Sequence, residues 1–251
     1  MPGRRDTTAG WWPWVLASIL LGASVAAAET VTVFAAASLT EAFRTLGRDF
    51  EAAHAGTTVA FNFASSSTLV HQIVEGAPAD VFASADEENM QKAADAGEIA
   101  GTPQVFARNR LAIIVTKGNP RHVTGLADLG GPGLTIALAA PVVPVGRYAA
   151  EAFAKAGVPV PAGSNEADVK AVVTRVSMGE ADAGVVYTTD VAAGGDRIEA
   201  VSIPDAQNVL ARYPIAIVKR APNAAGARAF VAHVMSPAGR RALTAAGFLA
   251  P

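Results

Sequence analysis

The stretch FAAASLTEAF, residues 34–43, joins a small-residue apolar run to a helical pattern. The run VTVFAAA (31–37) predicts a buried strand, because it is short and apolar throughout. Ser38 and Glu41 then have the S-x-x-E spacing of a capping box, in which the serine caps its own helix. Ser38 can therefore be a helix cap, or it can turn its hydroxyl toward a ligand, and this stretch alone allows both.

The same alternation of strand and helix patterns continues along the chain. Further strands are predicted at 57–64, 79–85, 110–117, 134–139, 183–187 and 213–219. Further helices are predicted at 67–76, 87–99, 145–157, 166–180, 223–236 and 237–246. Strands that alternate with helices predict an α/β protein with mostly parallel sheets.

Residues 1–28 have the layout of a cleaved signal peptide. Arg4 and Arg5 precede an uncharged, mostly apolar stretch at 11–25, and AAA at 26–28 supplies small residues for cleavage. The apolar stretch is shorter than the roughly 20 residues that a membrane-spanning helix needs. We expect export to a bacterial periplasm.

The cysteine count and the net charge exclude further classes of protein. The chain contains no cysteine, so we expect neither disulfides nor lipid attachment at a cysteine. The full chain has 20 basic and 22 acidic residues. Without the predicted signal peptide, which contains Arg4, Arg5 and Asp6, 18 basic and 21 acidic residues remain. This slightly negative net charge argues against a nucleic-acid partner. A mildly acidic protein that binds an anion would have to do so through local dipoles.

The usual catalytic and nucleotide-binding motifs are absent. The sequence contains no G-x-S-x-G, G-x-x-x-x-G-K-[ST] or G-x-G-x-x-G pattern. Its four histidines are scattered without metal-ligand spacing, at positions 54, 71, 122 and 233. We therefore expect no enzyme, no cofactor and no directly ligated metal ion.

Small polar residues instead mark several predicted helix starts. They are Ser38, SSST at 65–68, PVGRY at 144–148 and NEADV at 165–169, where Asn165 is the expected cap. Helix starts carry unpaired N–H groups and the positive end of a dipole, which suit an anion. In an open α/β sheet these starts gather where ligands bind.

Four motifs together resemble the periplasmic molybdate-binding proteins of bacterial ABC importers. They are VFAAASLTEAF (33–43), FASSSTL (63–69), GAPADVFASAD (76–86) and GVVYTTD (184–190). The resemblance implies a two-domain, type II periplasmic-binding-protein fold with the ligand in an interdomain cleft. It places domain I at 29–108 plus 215–251 and domain II at 109–214.

The resemblance also implies a set of ligand-binding residues. The two serine hydroxyls fall on Ser38 and Ser67, the backbone N–H donors on Val145 and Val169, and the tyrosine hydroxyl on Tyr187. Val145 departs from the pattern, because relatives tend to have alanine there, and a β-branched residue could shift the local turn.

The implied function is capture of molybdate, and of tungstate too, for delivery to the membrane permease of an ABC importer by a monomeric periplasmic protein. Sulfate or another tetrahedral dianion is the alternative within this class. A serine hydrolase is the alternative outside it, and His71, four residues after Ser67 on one helix, is the nearest base in sequence.

Overall fold

The structure, a computed structural model, describes Met1, Gly3 and residues 29–251. The predicted signal peptide at 1–28 lies outside the described residues, except for Met1 and Gly3. Among the residues that are described, none of the helices is both long and apolar enough to cross a membrane.

Strands and helices alternate through most of the chain. The strands are β1 Glu29–Ala36, β2 Thr57–Ala64, β3 Val81–Ala83, β4 Ile99–Thr116, β5 Ile136–Ala137, β6 Ala183–Tyr187, β7 Ile198–Ser202 and β8 Leu210–Val218. The helices are α1 Thr40–Ala53, α2 Ser66–Val74, α3 Glu87–Asp95, α4 Leu126–Leu129, α5 Pro144–Ala156, α6 Val169–Ser177, α7 Ala224–Met235 and α8 Pro237–Ala245. The α/β class is as predicted, whereas β7 and the single-turn α4 were not predicted.

The long strand β4 joins two sheets. Its first part pairs with β8, which continues to β3, β1 and β2. Its second part pairs with β6 and β7, and β5 lies beyond β6. We call the first sheet with α1, α2, α3, α7 and α8 lobe I, and the second sheet with α4, α5 and α6 lobe II.

The sheets are mixed, and the prediction of mostly parallel sheets is corrected here. Three strand pairs are parallel, namely β1–β2, β1–β3 and β5–β6. The pairs β3–β8, β4–β8, β4–β6 and β4–β7 are antiparallel. The reason is that β4 carries the chain toward lobe II and β8 carries it back, so that neighbouring segments run in opposite directions.

The predicted domain limits fall inside strands. The limit at 108/109 lies within β4, and the limit at 214/215 lies within β8. The chain therefore passes between the lobes in ordered strands without a separate linker, and the division at these two positions stays a prediction.

Helix α1 packs through the apolar face that its sequence spacing predicted. Its buried residues include Phe43, Leu46 and Phe50. The Phe43 ring lies 5.6 Å from the Phe106 ring and 6.1 Å from the Phe230 ring, measured between centroids. Aromatic pairs at such distances add to the free energy gained by burial. This packing holds the start of α1 firmly against the sheet of lobe I.

Candidate anion-binding site

A small cavity lies between the lobes, where four helical segments begin. Its empty volume is about 210 Å³, counting the part open to solvent. Lobe I contributes Ala36, Ala37, Ser38, Ser65, Ser66 and Ala85 to the lining. Lobe II contributes Val143, Pro144, Val145, Asp168, Val169 and Tyr187. This lining leaves room for a small ligand only.

Ser38 does not cap a helix. It lies buried in a 3₁₀ turn, Ala37–Leu39, and the residue that precedes α1 is Leu39, which makes no side-chain cap. The capping-box interpretation is therefore wrong. The Ser38 Oγ lies 3.1 Å from the hydroxyl of Tyr213, and either group can donate. With Tyr213 as the donor, Ser38 keeps its own hydrogen for an acceptor in the cavity.

Ser66 lines the cavity in the place that the resemblance assigned to Ser67. It is the first residue of α2, is fully buried, and its Oγ accepts a hydrogen bond from the Ala85 N–H at 2.9 Å. A hydroxyl that accepts one bond still has its hydrogen to donate.

Ser67 itself is partly exposed and does not line the cavity. Its Oγ lies 3.0 Å from that of Ser65, the N-cap of α2. Successive side chains on a helix point about 100° apart, so a shift of one residue changes the direction of the hydroxyl. The structure brings Ser38, Val145, Val169 and Tyr187 together as predicted, but with Ser66 in place of Ser67.

The starts of α5 and α6 supply backbone donors. Val145 is the second residue of α5, after Pro144, and no side chain caps this helix. Val169 is the first residue of α6, whose N-cap is Asp168 and not the predicted Asn165. The Asp168 carboxylate accepts from the Ala171 N–H at 3.0 Å. The first N–H groups of both helices have no partner within the helix, so they are available to an anion.

Tyr187 ends β6 with its hydroxyl buried. The residue is 1% exposed, and its hydroxyl has no hydrogen-bond partner among the residues that the structure describes. Its ring lies between those of Tyr148 and Tyr213, with centroids 6.5 and 5.7 Å away. Burial raises the pKa of Tyr187 well above its ordinary value, so the phenol keeps its proton and can donate it to an acceptor.

The twelve lining residues include no cation. The two nearest along the chain to the backbone donors are Arg147 and Lys170, and both are paired with carboxylates. Asp168 is the one carboxylate in the lining, and it is engaged as a helix cap. Within residues 29–251 and the two described N-terminal positions, no cluster of three or more His, Cys, Asp or Glu could hold a metal ion. The cavity is therefore built from neutral donors.

Comparison with known proteins identifies the family of this chain. The family described as bacterial extracellular solute-binding protein matches residues 31–249. The molybdate-binding protein ModA of Mycobacterium tuberculosis H37Rv is 42% identical over 224 residues, which cover 89% of this chain and 86% of that protein.

Two solved structures share the fold. The periplasmic molybdate-binding protein of Azotobacter vinelandii superposes with a TM-score of 0.75 at 23% identity, covering 88% of this chain and 99% of that one. The sulfate-binding protein SubI of M. tuberculosis gives a TM-score of 0.78 at 18% identity, covering 88% and 86%.

The fold and the family match define a solute-binding protein of the periplasmic-binding-protein type. The chain belongs to the family of bacterial extracellular solute-binding proteins. The resemblance to molybdate-binding proteins that the four sequence motifs predicted is confirmed.

Proposed function

We propose that this protein captures molybdate in the periplasm and delivers it to the permease of an ABC importer. The observation that carries the proposal is the buried Tyr187 hydroxyl, which has no partner among the described residues and belongs to a residue that lines the cavity beside the uncharged donors. The molybdate-binding relative at 42% identity supports the choice of ligand. Export by the predicted signal peptide and a monomeric state complete the proposal.

The donor set suits a fully deprotonated dianion. We assign ligand binding to the hydroxyls of Ser38, Ser66 and Tyr187 and to the N–H groups of Val145 and Val169. Molybdate, tungstate and sulfate carry no proton at neutral pH, so they accept hydrogen bonds without donating any. Neutral donors fixed at helix starts can stabilise such an ion without a cation beside it.

Tungstate is proposed as a second ligand, because it has the charge and tetrahedral shape of molybdate. Sulfate is the competing candidate, since a sulfate-binding protein shares the fold. That protein is only 18% identical to this chain, so its similarity concerns the fold alone.

The test is calorimetric titration of the chain without residues 1–28, using molybdate, tungstate, sulfate and phosphate separately. We expect saturable heat with one site for molybdate and tungstate, and much weaker or no heat for the other two. Heat with sulfate or phosphate alone would overturn the proposal.

The contacts of the two serines do not favour hydrolysis. The partner of the Ser38 Oγ is the Tyr213 hydroxyl, and that of the Ser66 Oγ is the Ala85 N–H. A serine nucleophile needs a histidine or lysine base within hydrogen-bond reach. Labelling of Ser38 or Ser66 by a serine-reactive phosphonate would revive the hydrolase alternative.

Tyr187→Phe is expected to separate binding from stability. It removes a donor to a charged acceptor, so molybdate affinity should fall about ten- to hundred-fold. The free energy of unfolding without ligand should stay equal or rise, because the substitution removes a buried hydroxyl that has no partner. Titration calorimetry and urea unfolding of the same samples measure both. A loss of stability with unchanged affinity would remove Tyr187 from the site.

A further inference from the structure

Lys170 connects the two lobes on one side of the cavity. It follows Val169 in the first turn of α6, in lobe II. Its Nζ lies 2.8 Å from Oε2 of Glu41, in the first turn of α1 in lobe I. The same Nζ lies 3.0 Å from Oδ1 of Asp190, an ion pair that is not aligned as a hydrogen bond. We call the contact between Lys170 and Glu41 the Lys170 clamp.

Arg147 makes a second connection, near the other backbone donor. It lies two residues after Val145 in α5, in lobe II. Its Nη2 is 2.6 Å from Oδ2 of Asp86, and its Nη1 is 2.9 Å from Oε2 of Glu88, at the start of α3 in lobe I. We call this pair of contacts the Arg147 clamp. Contacts from two guanidinium nitrogens to two carboxylates fix the orientation of Arg147 better than a single ion pair would.

Both clamps are partly shielded from water. The Lys170 and Arg147 side chains are 25% and 30% exposed, and their partners Glu41 and Glu88 are 61% and 49% exposed. The carboxylates of Asp86 and Asp190, which contact the same two cations, are fully buried. Burial raises the pKa of Asp190 to about 6, although the Lys170 charge opposes this rise. Asp190 lies between β6 and β7, which both belong to the sheet of lobe II, so its pair with Lys170 can persist when the lobes separate. The contacts to Glu41, Asp86 and Glu88 join different lobes and would break.

We propose that Arg147 and Lys170 are positioning residues that hold the lobes closed over the anion and so set its rate of release. The inference rests on the proposed function for the identity of the ligand. Each cation lies one or two residues from a backbone donor, so forming the clamp also brings the N–H of Val145 or Val169 to the anion. Neither cation lines the cavity, because lobe I carboxylates occupy both.

The test removes one lobe I carboxylate from each clamp, keeps the buried Asp86 in place, and leaves the cavity lining intact. Glu41→Gln and Glu88→Gln are made singly and together, since neither residue lines the cavity. Glu151→Gln is the matched control, because Glu151 pairs at 3.1 Å with Lys155 on its own helix. Association is followed by the tyrosine fluorescence of the chain without residues 1–28, which lacks all three tryptophans because they lie at 11–14. The three tyrosine rings lie close together at the cavity, so their fluorescence reports binding there.

Molybdate dissociation should be about three-fold faster in each single variant and about ten-fold faster in the double variant, with the association rate constant within two-fold of the parent. Salt at 0.5 M should speed release from the parent more than from the double variant, because it screens partly exposed charges. An unchanged dissociation rate in the double variant, or an equal change in Glu151→Gln, would overturn the proposal.

A second readout needs no ligand. The chain lacks cysteine, so an introduced cysteine can be spin-labelled specifically. Labels are placed at the exposed positions Val74→Cys in lobe I and Met178→Cys in lobe II. Pulsed electron paramagnetic resonance then measures the distance between the two labels. In ligand-free protein, the short-distance population should be smaller in the Glu41→Gln, Glu88→Gln double variant than in the parent. Equal populations would overturn the clamps. If the parent bound no molybdate, the proposed function would be wrong, and this ligand-free measurement would still test the two clamps.

Discussion

Replacing Gly146 with alanine is expected to destabilise the protein by about 3 kcal/mol and to weaken molybdate binding by about 30-fold or more. Gly146 follows Val145 in α5 and is buried against the segment after β5. A Cβ placed on it would lie 2.9 Å from the carbonyl carbon of Ala139 and closer still to the carbonyl oxygens of Ala139 and Ala140. These are backbone atoms, so the start of α5 would have to move and carry the Val145 N–H with it.

Gly125→Ala is the control for this substitution. A Cβ on Gly125 would meet no atom within 4 Å, and its φ of −174° is accessible to any residue. We expect it to lower the free energy of unfolding by about 1 kcal/mol or less, as a weaker N-cap, with molybdate affinity unchanged. Urea unfolding and calorimetry measure both variants. Full affinity in Gly146→Ala would show that the position of α5 does not matter for the anion.

Ser66→Ala is expected to weaken molybdate binding by about ten- to hundred-fold, whereas Ser67→Ala should leave it within about two-fold. Of these two serines only Ser66 lines the cavity, and removing its hydroxyl deletes a donor to a charged acceptor. Ser67 is the matched control, because it carries the same side chain one position further along the same helix and contacts Ser65 instead.

Ser66→Ala should also lower stability, since the Ala85 N–H loses its partner. The comparison of affinities, measured by calorimetry at a temperature where both variants are folded, is therefore the decisive one. A large loss in Ser67→Ala with none in Ser66→Ala would restore the assignment made from sequence.

Features that depend on short sequence patterns, such as the positions of strands and the buried face of a helix, were predicted well. Apolar runs located most strands, and the spacing of Phe43, Leu46 and Phe50 identified the buried face of α1. The strand directions depend on pairing between distant segments, so β8 was predicted as a strand but not as an antiparallel neighbour of β4.

Four of the five ligand-binding residues that the resemblance implied line the cavity, and Ser66 lines it in place of Ser67. In SSST, four similar residues offer no local signal for which hydroxyl faces the cavity. The structure decides it, because the Thr68 N–H bonds to the Ser65 hydroxyl, which makes Ser65 the N-cap and Ser66 the first helical residue. At 38–41, the S-x-x-E pattern was misleading because Glu41 pairs with Lys170, 129 residues away.

The clamps lay beyond the reach of sequence patterns. Arg147 and Asp86 are 61 residues apart and belong to different lobes. Their pairing follows from how the two sheets meet across β4, which no short stretch encodes.

The central claim is that molybdate lies between the lobes and is held by neutral donors. A crystal structure of the chain without residues 1–28, grown with molybdate and measured near the molybdenum absorption edge, tests it most directly. We predict one strong anomalous peak in the cavity, with ligand oxygens at hydrogen-bond distance from the hydroxyls of Ser38, Ser66 and Tyr187 and from the N–H groups of Val145 and Val169. A peak elsewhere, or one coordinated by Lys170 or Arg147 in place of these donors, would contradict the account.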